Sequence, residues 1–162
     1  MSKKILLINP IKRLHPPFGL MYIAAALEKA CFGVEIYEIK PEVILPLKRS
    51  LQKLKKKISG FNPAFIGITC MSAQAPLAKF LTGWIKENFS GLKITLGGAH
   101  PTFMPHRVLE WGADFIVLGE GEKTVVELAR YITGERRDLH DLNGICYRDG
   151  EKIISRDTPT II

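Results

Sequence analysis

The feature that most restricts the fold of this chain is a steady alternation of short apolar runs with segments of helical periodicity. The runs fall at 4–9, 34–38, 65–69, 93–96 and 115–118, are rich in Ile, Val and Leu, and are apolar on both faces. Strands covered by helices on both sides read this way, because neither face meets water. Between them, Leu20, Ile23, Ala24 and Leu27 mark one helix face. Val43, Ile44, Leu47, Leu51, Leu54 and Ile58 mark a second, and Leu77, Phe80, Leu81, Trp84 and Ile85 a third. A short stretch from Val108 to Trp111 follows, and then Val125, Val126, Leu128, Ala129 and Ile132, ending near Gly134. Gly33 and Gly60 read as stops for the first two helices, and Pro76 as a first-turn residue of the third. Five strand–helix units in succession predict an α/β fold: a doubly wound parallel sheet whose crossovers are right-handed. Five strands favour the order 2-1-3-4-5, a Rossmann/flavodoxin-like arrangement.

The pattern changes after Gly134. Residues 144–148, an Asp149-Gly150 pair and residues 151–155 read as a β-hairpin, followed by Asp157-Thr158-Pro159 and an apolar Ile161-Ile162. The expected organisation is an α/β ligand-binding domain over 1–134. A hairpin and connector over 135–162 would lead toward a C-terminal domain absent from this chain, as in a fragment of a longer protein.

Composition narrows the function classes. A length of 162 residues suits one domain with a proper core, and no apolar run approaches a membrane span. The run Ile5–Asn9 is too short for the apolar core of a signal peptide. Cys31, Cys70 and Cys146 are odd in number and widely spaced, which gives neither a disulfide framework nor a paired metal motif and points to a reducing cytoplasm. The net charge of +7 comes from one segment, since 43–59 holds Lys48, Arg49, Lys53, Lys55, Lys56 and Lys57 and no acid, leaving 17 basic against 16 acidic residues elsewhere. At helical spacing these cations lie opposite the apolar stripe and read as the solvated side of an amphipathic helix. A docking patch for RNA or another domain is the other reading, weakened because no aromatic residues alternate with the charges.

In an open α/β sheet, ligands bind beyond the carboxyl ends of the strands, where strand order reverses. Four loops on that edge have unusual composition. Pro10–Gly19 holds three prolines and neither Gly-x-Gly-x-x-Gly nor Gly-Lys-Ser/Thr, which excludes a dinucleotide fingerprint and a P-loop. Arg13 and His15 there face a ligand or simply stand on a stiff surface loop. In Thr69-Cys70-Met71-Ser72-Ala73-Gln74, the hydroxyls supply compact donors; Ser72 also reads as a helix cap and Cys70 as packing. Gly97-Gly98-Ala99-His100-Pro101 leaves a strand end bare, so that a flat bulky group can approach the backbone. Gly119-Glu120-Gly121-Glu122 opens a helix, where the carboxylates complement its dipole; no partner supports acid–base catalysis.

Taken in order, Pro16–Leu27, Gly67–Met71, Leu96–Pro101 and Ala113–Glu122 resemble the N-terminal cobalamin-binding domain of B12-dependent radical S-adenosylmethionine (radical SAM) proteins. That group includes anaerobic magnesium-protoporphyrin monomethyl ester cyclases and methyltransferases, and the likeness runs over essentially the whole chain. It implies cobalamin as cofactor, with Pro17, Gly19, Thr69, Cys70, Met71, Ser72, Gln74, Gly97, Gly98, Ala99, His100, Gly119, Glu120, Gly121 and Glu122 as candidate contacts. Thr69-Cys70-Met71 stands where such domains often carry Ser-x-Leu, and Gly97-Gly98 matches the paired glycines beside the dimethylbenzimidazole tail.

Two departures from the family pattern are informative. The Asp-x-His-x-x-Gly signature of histidine-ligated domains is missing, since His15 lies four residues before Gly19 with no Asp two positions upstream. The expectation is therefore a base-off cobalamin with no histidine ligand from this chain. The Cys-x-x-x-Cys-x-x-Cys triad for a 4Fe-4S cluster is also missing, so S-adenosylmethionine and the cluster belong to a C-terminal domain of the same polypeptide. The chain by itself is then a cofactor module without catalytic residues. The alternatives are a stand-alone corrinoid carrier and a flavodoxin-like or receiver-like signalling module. Asn9-Pro10 and Thr69-Cys70 lack the acidic residues of a receiver, and Pro10–Phe18 lacks the Ser and Thr of a flavin phosphate loop.

Overall fold

A computed structural model describes residues 2–11, 16–39 and 47–156. Arg13, His15, Val43, Ile44 and the segment from Asp157 onward lie outside the described residues. The strands are β1 (Lys4–Asn9), β2 (Gly33–Glu38), β3 (Phe65–Thr69), β4 (Lys93–Gly97), β5 (Phe115–Val117), β6 (Ile145–Asp149) and β7 (Lys152–Arg156). The helices are α1 (Phe18–Lys29), α2 (Leu47–Phe61), α3 (Ala75–Asn88), two single turns α4 (Ala99–Phe103) and α5 (Pro105–Leu109), and α6 (Glu122–Ile132). Two turns separated by Met104 thus replace the single short helix expected at 108–111.

The strands form one mixed sheet of seven in the order β2-β1-β3-β4-β5-β6-β7. Strands β1 to β5 pair in parallel, and β6 and β7 add antiparallel. This corrects the expected five-stranded sheet with an appended hairpin: the hairpin continues the sheet. The physical reason lies in β5, which is three residues long and would otherwise leave an open edge beside the buried Phe115 and Val117. Ile145 on β6 covers it, with Leu128, Leu139 and Leu142 completing that small core.

The helix stops also differ from expectation. Gly33 begins β2 and Gly60 lies inside α2, while the left-handed positions fall on Cys31 (φ 67°) and Asn62 (φ 52°). After α1 the Cys31 N–H donates to the Glu28 carbonyl (2.9 Å) and the Phe32 N–H to the Leu27 carbonyl (3.0 Å). This paired closure satisfies the last helical carbonyls, and the burial of Phe32 and Leu27 in one cluster offsets the strain at a residue with a side chain.

Two layers flank the sheet. On one face α2 (Leu54, Ile58) and α3 (Ala78, Leu81, Ile85) pack on Leu6, Ile8, Ile66, Ile68, Ile94 and Leu96. On the other, α1 (Leu20, Ala24, Leu27) and α6 (Val125, Ala129) pack on Ile5, Leu7 and Phe65. The cations of α2 point away from the first layer: Lys48, Arg49, Lys53, Lys55 and Lys56 are exposed. Lys57 pairs with Glu35 and Lys55 donates to Asn88 Oδ1 at 3.0 Å, surface contacts of little energetic weight. At the amino edge, burial raises the Asp114 carboxyl, but hydrogen bonds from Lys86, the Ile94 N–H and Lys93 outweigh it and hold the group below its usual range. Among the described residues no helix is long and apolar enough to cross a membrane.

Candidate cofactor-binding site

At the carboxyl edge the α1/α6 face is hollow. Leu7, Gly67 and Thr95 stand in register across β1, β3 and β4, one step above Ile5 and Phe65. A Cβ on Gly67 would stand 2.8 Å from Leu7 Cδ2, so only glycine lets Leu7 lean across this row. Gly121 has the same role above β5, where a Cβ would meet Val117 Cγ1 at 2.7 Å and Ile23 Cδ1 at 3.3 Å. Glycine in a strand or at a helix start marks close approach, and here both bare positions border one cavity. The cavity measures about 140 Å³ and lies between the ends of β1, β3, β4 and β5 and the helices α1 and α6. It is small beside the roughly 300–1,000 Å³ of pockets that enclose a whole small molecule, so it suits one end of a larger ligand.

Of the residues singled out in the sequence, Gly19, Thr69, Gly97, Gly98, Gly119, Glu120, Gly121 and Glu122 line this cavity. Gly98 adopts φ 102° and ψ −175°, a conformation essentially restricted to glycine, and a Cβ there would stand 3.0 Å from the Cys70 carbonyl oxygen. The bareness of this loop is therefore a backbone requirement as well as an opening.

The other candidates are not among the lining residues. Pro17 precedes α1, and its carbonyl accepts from the Met21 N–H at 3.0 Å. Ala99 begins α4. Gln74 is buried; its Oε1 accepts from the Met71 N–H (2.9 Å) and its Nε2 donates to Asn9 Oδ1 (3.2 Å), tying the β3 loop to the end of β1. The side chain of Met71 is half exposed. His100 Nδ1 lies 3.3 Å from Ser72 Oγ, its ring stacks on Trp111 with centroids 5.7 Å apart, and its backbone N–H donates to the Cys70 carbonyl at 3.1 Å. Cys70 itself is buried in the opposite layer, and burial pushes its thiol up to about 11.

Sequence reasoning missed Leu7, Ile23, Thr95, Val117 and Val125 as lining residues because each reads as ordinary core. Gly67 carried a usable signal, a lone glycine inside an apolar strand. Thr102 was also missed: its Oγ1 donates to the Gly98 carbonyl (2.8 Å) and accepts from the Gly119 N–H (3.0 Å), clasping two of the candidate loops.

A family model for the B12 binding domain matches residues 5–129. The chain belongs to the B12-binding domain family. Anaerobic magnesium-protoporphyrin IX monomethyl ester cyclase from Synechocystis sp. is 31% identical, with 93% of this chain and 32% of that protein covered. Cytidylyl-2-hydroxyethylphosphonate methyltransferase from Streptomyces wedmorensis is 29% identical over 98% of this chain and 34% of its own length. The chain thus spans about a third of these relatives. Among solved structures, the radical S-adenosylmethionine methyltransferase TsrM from Kitasatospora setae, with cobalamin and a [4Fe-4S] cluster bound, superposes with a TM-score of 0.80 at 24% identity. That match covers 99% of this chain and 30% of TsrM, and establishes a shared fold.

The residues present fit the B12 cofactor of this family on two grounds taken from the structure. Gly67, Gly97, Gly98 and Gly121 line the cavity without side chains of their own, and at Gly97 a side chain could be added without a clash at its Cβ. Among the described residues, Thr95 in the cavity wall has no hydrogen-bond partner for its buried Oγ1, which leaves a polar group beside the cavity unsatisfied.

Proposed function

We propose that this chain is the cobalamin-holding module of a larger B12-dependent radical SAM enzyme. In this reading the cavity beneath α1 and α6 would take one end of the cofactor, and Thr69, Gly97, Gly98 and the Gly119–Glu122 loop would hold it at the edge. The single observation that carries the reading is the glycine-lined cavity at the carboxyl edge of a B12-family sheet. The five parallel strands form the binding unit and β6–β7 the link to a following domain, in keeping with the greater length of the relatives. Phe18, Tyr22, Met71 and Phe103 stand exposed on segments that leave this edge, apolar surface for a large cofactor and the next domain to cover.

The chain's own residues bind and orient. Gln74, Thr102 and the His100–Ser72 pair hold the loops at fixed spacing, and the apolar wall of Leu20, Ile23 and Val125 excludes water from the buried end. Bound cobalamin would supply a cobalt centre able to carry a methyl group or assist a radical step, with catalysis residing in the following domain. His100 is engaged with Ser72 and Trp111, which favours a role in holding the loop over one as a ligand to the metal.

Titration with hydroxocobalamin followed by visible absorption tests the reading. Saturable binding at micromolar concentration with a base-off spectrum is the expected result, unchanged by His15→Ala. Absence of binding sinks it, and a spectrum altered by His15→Ala overturns the ligand assignment. The coding sequence beyond residue 162 separates the enzyme module from a stand-alone corrinoid carrier, through presence or absence of a cysteine triad.

A further inference from the structure

Helix α2 carries its charge against its own stability. Its first turn holds Lys48 and Arg49 with no acid, and its last turn holds no cation, the reverse of what the helix dipole favours. Arg49, Lys53 and Lys56 follow one another at i+4 and i+3, spacings at which like charges repel. The folded chain relieves only part of this. Lys57 pairs with Glu35 and Lys55 donates to Asn88 Oδ1, but among the described residues Lys48, Arg49 and Lys56 have no ion-pair or hydrogen-bond partner. Leu54 and Ile58 are buried, so the opposite side of the helix is held outward. At 100° per residue Arg49 and Lys56 stand within about 20° of each other on its crest, and Lys48 to Lys56 spans about 12 Å. The charge continues past the helix end, where exposed Lys4 and half-buried Lys57 both lie 5.4 Å from the centroid of the Phe61 ring.

The make-up of this face selects among anionic partners. Protein interfaces rest on buried aromatic or Arg anchors and are depleted in Lys. Here four of the five exposed cations are Lys, and no aromatic residue stands among them. A polynucleotide would run past the ridge onto a surface where acids nearly balance bases, whereas a flat sheet of charge meets only the outermost helices. A bilayer surface needs no shape match, and cations on long flexible stems suit it. The same layer leaves Leu47 and Phe80 exposed, apolar side chains of the kind that enter the headgroup region. We infer that the α2 face docks this chain on an anionic lipid bilayer as a peripheral, charge-driven contact. Contact through the crest of α2 lays the sheet along the bilayer and leaves the carboxyl edge, with its cavity, open to the side.

Sedimentation of the chain with lipid vesicles tests this. Vesicles of phosphatidylcholine with about 30% phosphatidylserine bind it, and pure phosphatidylcholine does not. Raising the salt from about 50 to about 200 mM weakens binding at least about fivefold, because the screening length shortens. Lys48→Gln, Arg49→Gln and Lys56→Gln together weaken it roughly 100-fold, about fivefold for each cation removed. The Tm of that variant is unchanged or raised, since the first-turn cations oppose the helix dipole. Arg137→Gln, Arg148→Gln and Lys152→Gln remove the same net charge from exposed positions away from α2 and weaken binding less than about twofold. Equal binding to neutral vesicles, failure to sediment with anionic ones, or equal loss in both triple variants overturns the inference. Tighter binding to a short DNA duplex or to poly-glutamate than to anionic vesicles assigns the face to a different partner and overturns it as well.

Discussion

On the α2/α3 face of the sheet, Leu6, Ile66 and Ile94 form one row and Ile8, Ile68 and Leu96 the next, so the layer stays filled up to Cys70. On the α1/α6 face, large Ile5 and Phe65 are followed by Leu7, Gly67 and Thr95, and the layer thins toward Gly97. The same strands build both faces, and alternate residues decide which one is solid. The difference predicts two kinds of residue: those whose removal costs stability and those whose enlargement costs binding.

The largest effect on folding is expected from opening the solid face. Leu81, fully buried on α3, leaves a void when cut back, and Leu81→Ala should lose about 2–5 kcal/mol in urea unfolding. Corrinoid affinity of the folded fraction should be unchanged, and its loss would break the division between the faces. Filling the hollow face is the complementary change. A Cβ on Gly97 meets only the Val117 carbonyl oxygen at 3.6 Å and Val117 Cβ at 3.7 Å, ordinary contacts, so Gly97→Leu should fold. Its side chain then occupies the cavity, and cobalamin affinity should fall at least about 100-fold, near 2.7 kcal/mol. Retained affinity would place the cofactor elsewhere.

The smallest effect sharpens the comparison at its boundary, where Cys70 sits beneath the candidate loop but belongs to the solid face. Burial raises its thiol to about 11, so the group stays protonated and unreactive until the pH nears that value. Exposed Cys31 should label with a thiol reagent at pH 8 while Cys70 labels only on unfolding or at strongly alkaline pH. Rapid labelling of Cys70 at pH 8 would show that the layer under the loop is open.

Much of the fold was legible because strand and helix periods differ and the chain keeps them apart. The five apolar runs became β1 to β5 with small shifts at their ends. Helix stops were less legible: glycines at 33 and 60 drew the eye, yet Cys31 and Asn62 took the left-handed positions because the turns were fixed by burial of what followed. The hairpin was readable as a hairpin, but its pairing with β5 depends on a long-range edge that local pattern does not encode.

The candidate loops divided along the same line. Gly97 and Gly98 announced a bare strand end by composition and Gly119–Glu122 a helix start, and all of them border the cavity. Ser72, Gln74 and His100 read as contact candidates by position; their hydrogen bonds, Gln74 to Asn9 and His100 with Ser72, were not legible in the sequence. By itself the sequence determined the parallel α/β layering and the bare strand ends, since both follow from local periodicity and from glycine. Only the tertiary structure decided which face is hollow and that Thr95 stands in its wall with no partner for its hydroxyl among the described residues. Those properties arise from register between strands far apart in the chain, where Gly67 on one strand admits the side chain of Leu7 on its neighbour.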